Sequence, residues 1–144
     1  MTLTMNGNHR PRTDDDVLGG RRRWVRTLEP RLAIAIEEHN ESREHGPAIT
    51  AEFVESKAEF GWHTGMLIPG TTMQISFLKD LASQRNVRSR YTFLSYLTER
   101  GRLNEFINHQ TFFPTRLEFH DYLEWAAARV SATVHYGTRA VAVR

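Results

Sequence analysis

Leu32-Ala33-Ile34-Ala35-Ile36-Glu37-Glu38 is an apolar run of strong helix formers that turns polar at His39-Asn40, and it predicts a helix. The polar segment 41–47, which carries Gly46-Pro47, predicts a loop. Ile49, Ala51 and Phe53 then alternate with Thr50 and Glu52 ahead of Val54 and Glu55, the period-two pattern of a strand. Upstream, Val17-Leu18-Gly19-Gly20 follows three aspartates and predicts a short strand running into a turn. Met73, Phe77 and Leu81 recur at a spacing of four, which predicts a helix over 73–81 with Gln74 and Lys79 off its buried stripe. A further helical stretch is expected over 93–97, and Gly101 breaks the chain after it.

Beyond Pro114, Thr115-Arg116-Leu117-Glu118 reads as a capping box, with the Thr115 hydroxyl accepting from the Glu118 amide and the Glu118 side chain reaching back. Phe119, Leu123, Ala126, Ala127 and Val130 follow at helical spacing, so a helix is expected from 116 to about 130. Residues 134–144 are rich in Val, Thr and Tyr with near-alternation and predict one strand or a small hairpin around Gly137. Strand, helix and strand, followed by helices and a terminal β strand or hairpin, is the order of an α/β nucleotide-binding topology.

Composition narrows the class. A chain of 144 residues with 40% hydrophobic content can bury the core of one domain. There is no cysteine, which excludes disulfides and thiolate metal sites and fits a cytoplasmic location. No apolar run approaches the roughly 20 residues of a membrane helix. Residues 1–16 lack the apolar segment of a secretory signal and are expected to form a disordered polar lead-in, with the domain proper over 17–144. The net charge is only +2, and much of the arginine excess sits at Arg21, Arg22, Arg23, Arg26 and Arg31. A nucleic-acid surface would spread its cations along a groove with aromatic or hydrogen-bonding residues between them, so an arginine-rich nucleic-acid binder is the weaker alternative. His109, His120 and His135 are read as having neither an i, i+4 partner nor a carboxylate set of metal type, and no metal site is expected. Ser76, Ser89 and Ser95 lack the context of a nucleophile elbow.

Several blocks of uncommon residues occur in order from Phe53 onward: Phe53-Val54-Glu55, Phe60-Gly61-Trp62-His63-Thr64-Gly65-Met66, and Pro69-Gly70-Thr71-Thr72-Met73-Gln74-Ile75-Ser76-Phe77-Leu78-Lys79-Asp80-Leu81. They continue through Phe93-Leu94-Ser95-Tyr96-Leu97, Gly101-Arg102-Leu103 and Phe106-Ile107-Asn108. The last block is Phe112-Phe113-Pro114-Thr115-Arg116-Leu117-Glu118-Phe119, running into Asp121-Tyr122-Leu123-Glu124-Trp125-Ala126-Ala127. In these blocks the chain resembles the L-ornithine N5- and L-lysine N6-monooxygenase family, the N-hydroxylating flavin monooxygenases of siderophore biosynthesis. The resemblance implies an FAD domain, an inserted NADPH domain and a small substrate domain, of which residues 17–144 would be a partial, truncated Rossmann-like FAD-binding domain. It implies an enzyme in which NADPH-reduced flavin and O2 deliver oxygen to the neutral side-chain amine of ornithine or lysine. The 144 residues alone are expected to be inactive, and a homo-oligomer is left open.

The resemblance also implies roles for particular residues. Glu55 ends the second strand, where dinucleotide folds use a carboxylate to accept from the adenosine ribose hydroxyls. Trp62, His63 and Met66 occupy positions that pack against the flavin, and Arg116 a position near its ring system. Gln74 can donate and accept at once, as a flavin edge or a substrate amine requires. Lys79 is the cation that suits the amino acid's α-carboxylate. Gly19 begins the glycine turn that lets the backbone approach the FAD pyrophosphate. Here the match departs from the family, because residues 20–31 place arginines where glycines belong and Pro30 where the helix should start. An out-of-frame reading of GC-rich codons yields such arginine runs, a hypothesis that fails if no shifted frame of the coding DNA restores a glycine-rich turn. The rival reading is a non-catalytic remnant that binds no flavin.

Overall fold

The computed structural model describes the backbone of residues 3–5, 22–27 and 30–143. The chain divides into two compact units, Gly61–Val130 and the segments Met1–Phe60 and Ser131–Arg144 together.

The unit formed by the chain's two ends carries the sheets. Its elements are β1 (Leu3–Met5), β2 (Arg22–Thr27), helix α1 (Pro30–Ser42), β3 (Ile49–Val54), β4 (Thr133–His135) and β5 (Ala140–Val143). β2, β3 and β4 form a parallel sheet in that order, with Arg22 opposite Ile49 and Glu52 opposite Thr133. Parallel neighbours need a crossover, and α1 is the one between β2 and β3. The strand before α1 is Arg22–Thr27, in the segment expected to hold a turn; the expected strand at 17–20, with Gly19, lies outside the described residues. Trp24, Val25 and Thr27 are residue types that suit strands, and their backbones pair with Ala51, Glu52 and Val54. Pro30, expected to obstruct the helix, is its first residue, where its fixed φ is already helical and its missing N–H is one that no helical carbonyl would have accepted.

Side chains fasten α1 at its C-terminal end. The Asn40 amide donates to the Ile49 carbonyl at 2.8 Å, and its oxygen accepts from the Ile49 amide at 2.9 Å, so the last turn of α1 sets the start of β3. Buried Glu37 accepts from both the amide and the hydroxyl of Ser131 at 2.7 Å, which anchors the returning chain just before β4. The region around Gly137 turns as expected, with φ +64°, but it is not a hairpin. β4 pairs with β3, whereas β5 pairs antiparallel with β1 in a separate sheet.

The second unit is helical with an aromatic core. It contains α2 (Phe93–Glu99), α3 (Leu103–Asn108) and α4 (Arg116–Ala127). Phe93 is fully buried, with the rings of Phe77, Tyr96, Phe106, Phe119 and Tyr122 centred 5.3 to 5.9 Å away. Edge-to-face and tilted pairs of this kind add to the area they bury.

The helix expected over 73–81 is a single 3-10 turn, Phe77–Lys79, capped by the Ser76 hydroxyl. The backbone explains the difference: the Met73 amide donates to the Pro114 carbonyl and the Phe77 amide to the Phe112 carbonyl, both at 2.9 Å, while Thr72 bridges Thr115. A segment whose amides are engaged across the chain in this way cannot also close i→i−4 bonds. Buried Asp80 then ends the turn, accepting from the amides of Ala82, Ser83 and Phe93 and from the Ser83 hydroxyl, at 2.6 to 2.9 Å. The Phe93 amide is the first of α2, so Asp80 and the Thr92 cap share the exposed donors at that helix end.

Candidate functional site

Glu55 follows the last residue of β3. Its amide donates to the His135 carbonyl at 3.0 Å and its carbonyl accepts from Thr138 at 2.9 Å, so the backbone extends the β3–β4 pairing to this position. One carboxylate oxygen, Oε1, accepts from the Lys57 amide at 3.0 Å and the Ser56 hydroxyl at 3.2 Å. The other oxygen takes no hydrogen bond among the described residues and is open to a donor. Beside it, burial raises the Tyr136 phenol and the charge of Glu55 raises it further. Gly137, in its left-handed conformation, donates to the Lys57 carbonyl at 2.8 Å and closes the turn next to Glu55.

Apart from Gly19, which lies outside the described residues, the others singled out by sequence all lie in the helical unit. The half-buried Trp62 ring lies 5.0 Å from His63 and 5.8 Å from Phe119 of α4. His63 has φ +44°, and the Met66 amide donates to its carbonyl, which turns the chain through Thr64–Met66. Met66 is 48% exposed, and its sulfur lies 3.8 Å from the guanidinium of Arg116, the first residue of α4. The structure therefore joins two pairs that are far apart in sequence, Trp62 with Phe119 and Met66 with Arg116. Arg116 is placed there by backbone, its amide donating to the Thr71 carbonyl at 2.9 Å. Among the described residues it has no carboxylate partner. Gln74 is exposed on the segment that runs beside 112–116, and Lys79 is exposed at the end of the 3-10 turn.

α4 is held more tightly than its cap alone would require. Thr115 accepts from the Glu118 amide at 3.1 Å as expected, but the Glu118 carboxylate is turned to Arg102, at 2.8 Å, so the capping box is half formed. Burial raises the Glu118 pKa against the lowering effect of Arg102. On the same helix the ligand atoms of His120, Asp121 and Glu124 lie within 4.8 Å of one another, with His120 Nδ1 3.9 Å from Glu124 Oε2. The sequence reading missed this set, although a helix over these residues was expected and His120 and Glu124 are four apart in it. Asp121 and Glu124 also line a groove of about 500 Å³ with Tyr96, Arg100, Arg102 and Trp125. Asp80 and Tyr122 were likewise missed, because their roles rest on backbone donors and, for Tyr122, a backbone carbonyl that no residue pattern displays.

A parallel sheet with a helical crossover, joined in sequence to a helical unit, makes this an α/β protein. It is similar to the ornithine N-hydroxylase of Kutzneria sp. 744 in complex with reduced FAD, NADP+ and L-ornithine, with a TM-score of 0.71 and 47% identity over 80% of this chain and 27% of that one. It is also similar to the L-lysine 6-monooxygenase of Pseudomonas syringae, with a TM-score of 0.68 and 28% identity over 85% of this chain and 30% of that one. The L-ornithine N(5)-monooxygenase of Burkholderia cepacia is 53% identical over 105 residues, which are 73% of this chain and 23% of that protein. The L-lysine 6-monooxygenase/L-ornithine 5-monooxygenase family model matches residues 30–144, and the chain belongs to that family. It spans about a quarter of the length of these relatives, 23% and 27% in the two ornithine enzymes. Among the described residues no helix is long and apolar enough to cross a membrane.

Proposed function

We propose that these residues are the FAD-binding part of a cytoplasmic, NADPH-dependent flavin monooxygenase that hydroxylates the side-chain amine of L-ornithine in siderophore biosynthesis. The observation that carries the reading is the 53% identity to an L-ornithine N(5)-monooxygenase. Identity to the lysine enzyme is 28%, which favours ornithine over lysine. The parallel order β2-β3-β4, with α1 crossing between the first two strands, supports reading the sheet as part of a Rossmann-like domain.

The residues present fit such a cofactor. The open carboxylate oxygen of Glu55, at the end of the central strand, suits a ribose hydroxyl. Trp62, His63 and Met66 offer a flat ring and a polarizable sulfur for flavin packing, and Arg116, whose guanidinium meets that sulfur, suits an electron-rich flavin edge. Gln74 has an exposed amide able to orient the flavin or the substrate amine. Lys79 suits the α-carboxylate of the amino acid. Gly19, the candidate for the turn that faces the pyrophosphate, precedes β2 in the chain, and the segment between β2 and α1 carries no glycine, so that grip is weak. Bound flavin, reduced by NADPH, supplies the oxygen-activating chemistry. The chain's own part is to hold and orient cofactor and substrate and to keep water away.

The test is FAD titration of the purified 144-residue protein by flavin fluorescence, with FMN, which lacks the adenosine, as control. We expect weak binding of FAD, lost in Glu55→Ala, and no ornithine-dependent NADPH oxidation by the 144 residues alone. A protein that takes up no FAD, or retains it equally without the Glu55 carboxylate, overturns the reading.

A further inference from the structure

The chain holds no cysteine, so a peroxide that reaches it meets methionine as its most readily oxidised side chain. Two methionines stand in the helical unit, and burial separates them. Met73 is 7% exposed, whereas Met66 is 48% exposed. The backbone around Met66 is fixed. Its turn, Thr64–Met66, is closed by the Met66 amide, which donates to the carbonyl of His63 at 2.8 Å, and His63 is a non-glycine residue at φ +44°. Trp62 packs its ring against Phe119 of α4, with 5.8 Å between centres, so the turn is fastened to the helix that Arg116 begins.

The same helix puts a donor on the sulfur. The Arg116 guanidinium donates to Met66 Sδ at 3.8 Å, and a thioether is only a weak acceptor. Oxidation changes that acceptor. A sulfur lone pair attacks one oxygen of hydrogen peroxide, the O–O bond breaks, and the departing hydroxide takes the proton of the new S–OH group, leaving a sulfoxide and water. Two electrons pass from the sulfur to the peroxide. The product side chain is polar, and a hydrogen bond from a guanidinium to its oxygen is charge-assisted. The contact between Met66 and Arg116 therefore strengthens on oxidation. Enzymatic reduction of the sulfoxide by a thiol reductant, which returns the oxygen as water, reverses it.

We propose that Met66 is a peroxide-reactive modification site, oxidised ahead of the buried Met73, and that its sulfoxide oxygen then captures Arg116. Arg116 is the cation assigned above to the flavin edge, but the chemistry at Met66 does not depend on that assignment. The experiment treats the 144-residue protein with dilute hydrogen peroxide and follows oxidation by tandem mass spectrometry, which separates Met66 from Met73 although both lie between Lys57 and Lys79 on one tryptic peptide. We expect the Met66 sulfoxide to form at least about tenfold faster than that of Met73. Phenylglyoxal labelling of Arg116 reads the second step, and oxidation should slow it at least about threefold. In Met66→Leu peroxide should leave the labelling rate unchanged. Met66→Gln, whose amide oxygen accepts in place of the sulfoxide, should slow labelling without peroxide. Neither readout uses FAD, so the result is separate from that of the flavin titration. Met73 oxidised as fast as Met66, Arg116 labelling that peroxide leaves unchanged in the native chain, or labelling slowed equally in Met66→Leu overturns the proposal.

Discussion

The Tyr122 hydroxyl donates to the Tyr91 carbonyl at 2.8 Å and accepts from the Leu81 amide at 3.0 Å, so one phenol on α4 satisfies two backbone groups of the segment before α2. Tyr122→Phe keeps the ring among Phe93, Tyr96 and Phe119 but leaves both backbone groups without that partner. The cost should be about 1–3 kcal/mol. Thermal unfolding reads this as a melting temperature several degrees lower, and an unchanged midpoint would show that the hydroxyl contributes nothing.

Asp80 makes a stronger demand. The amides of Ala82, Ser83 and Phe93 and the Ser83 hydroxyl all use the Asp80 carboxylate as acceptor, and asparagine would turn an N–H toward one of the donors. Asp80→Asn should therefore destabilise by at least about 2 kcal/mol, and by more than Ser83→Ala, which removes a single hydroxyl donor. Urea unfolding of both variants compares them directly. Equal losses would contradict the role of Asp80 as anchor of α2.

Gly101 ends the turn after α2 with φ +69°, and nothing lies within 4 Å of where a Cβ would stand. The strain of an L-residue is then the whole effect of substitution. Gly101→Ala should cost about 1 kcal/mol, and Gly101→Asn less, because asparagine tolerates the left-handed region. A stabilising alanine substitution would refute this.

Glu118 makes stability depend on pH. Its carboxyl pKa is raised in the folded chain, chiefly by burial, so the folded state holds the proton more firmly than the unfolded state. Its contribution is therefore full below the ordinary glutamate value of about 4.3 and is lost as pH rises through the raised value. Compared with Glu118→Gln, the native chain should lose relative stability as the pH rises above the ordinary glutamate value. Denaturant unfolding at a series of pH values measures the difference, and a difference that instead grows in favour of the native chain would sink the assignment.

The parts of the fold legible in sequence are those whose determinants are local. α1 and β3 follow from the periodicity of 32–38 and 49–54, and the start of α4 from the Thr115 cap. The helix expected over 73–81 failed because a spacing of four in side chains says nothing about amides engaged by Phe112 and Pro114. Of the two expectations for 134–144, one strand or a small hairpin, the hairpin failed for the same reason, since the partners of β4 and β5 are β3 and β1. α3, only six residues long, carries too little pattern to be read. Of the candidate site, Glu55 at a strand end and the family blocks around Trp62, Gln74, Lys79 and Arg116 were visible in sequence. The contact of Met66 with Arg116 was not.

By itself the sequence determined the family, the central strand with Glu55 at its end, and the capped helix that begins at Arg116, because each depends on residue identity over a short span. The tertiary structure decided which strand stands before α1, which strands become neighbours, that Asp80 and Tyr122 satisfy buried backbone, and that Glu118 turns to Arg102 instead of completing its cap. Those outcomes depend on where donors and acceptors distant in sequence come to lie, and a buried polar group takes whichever partner folding brings within reach.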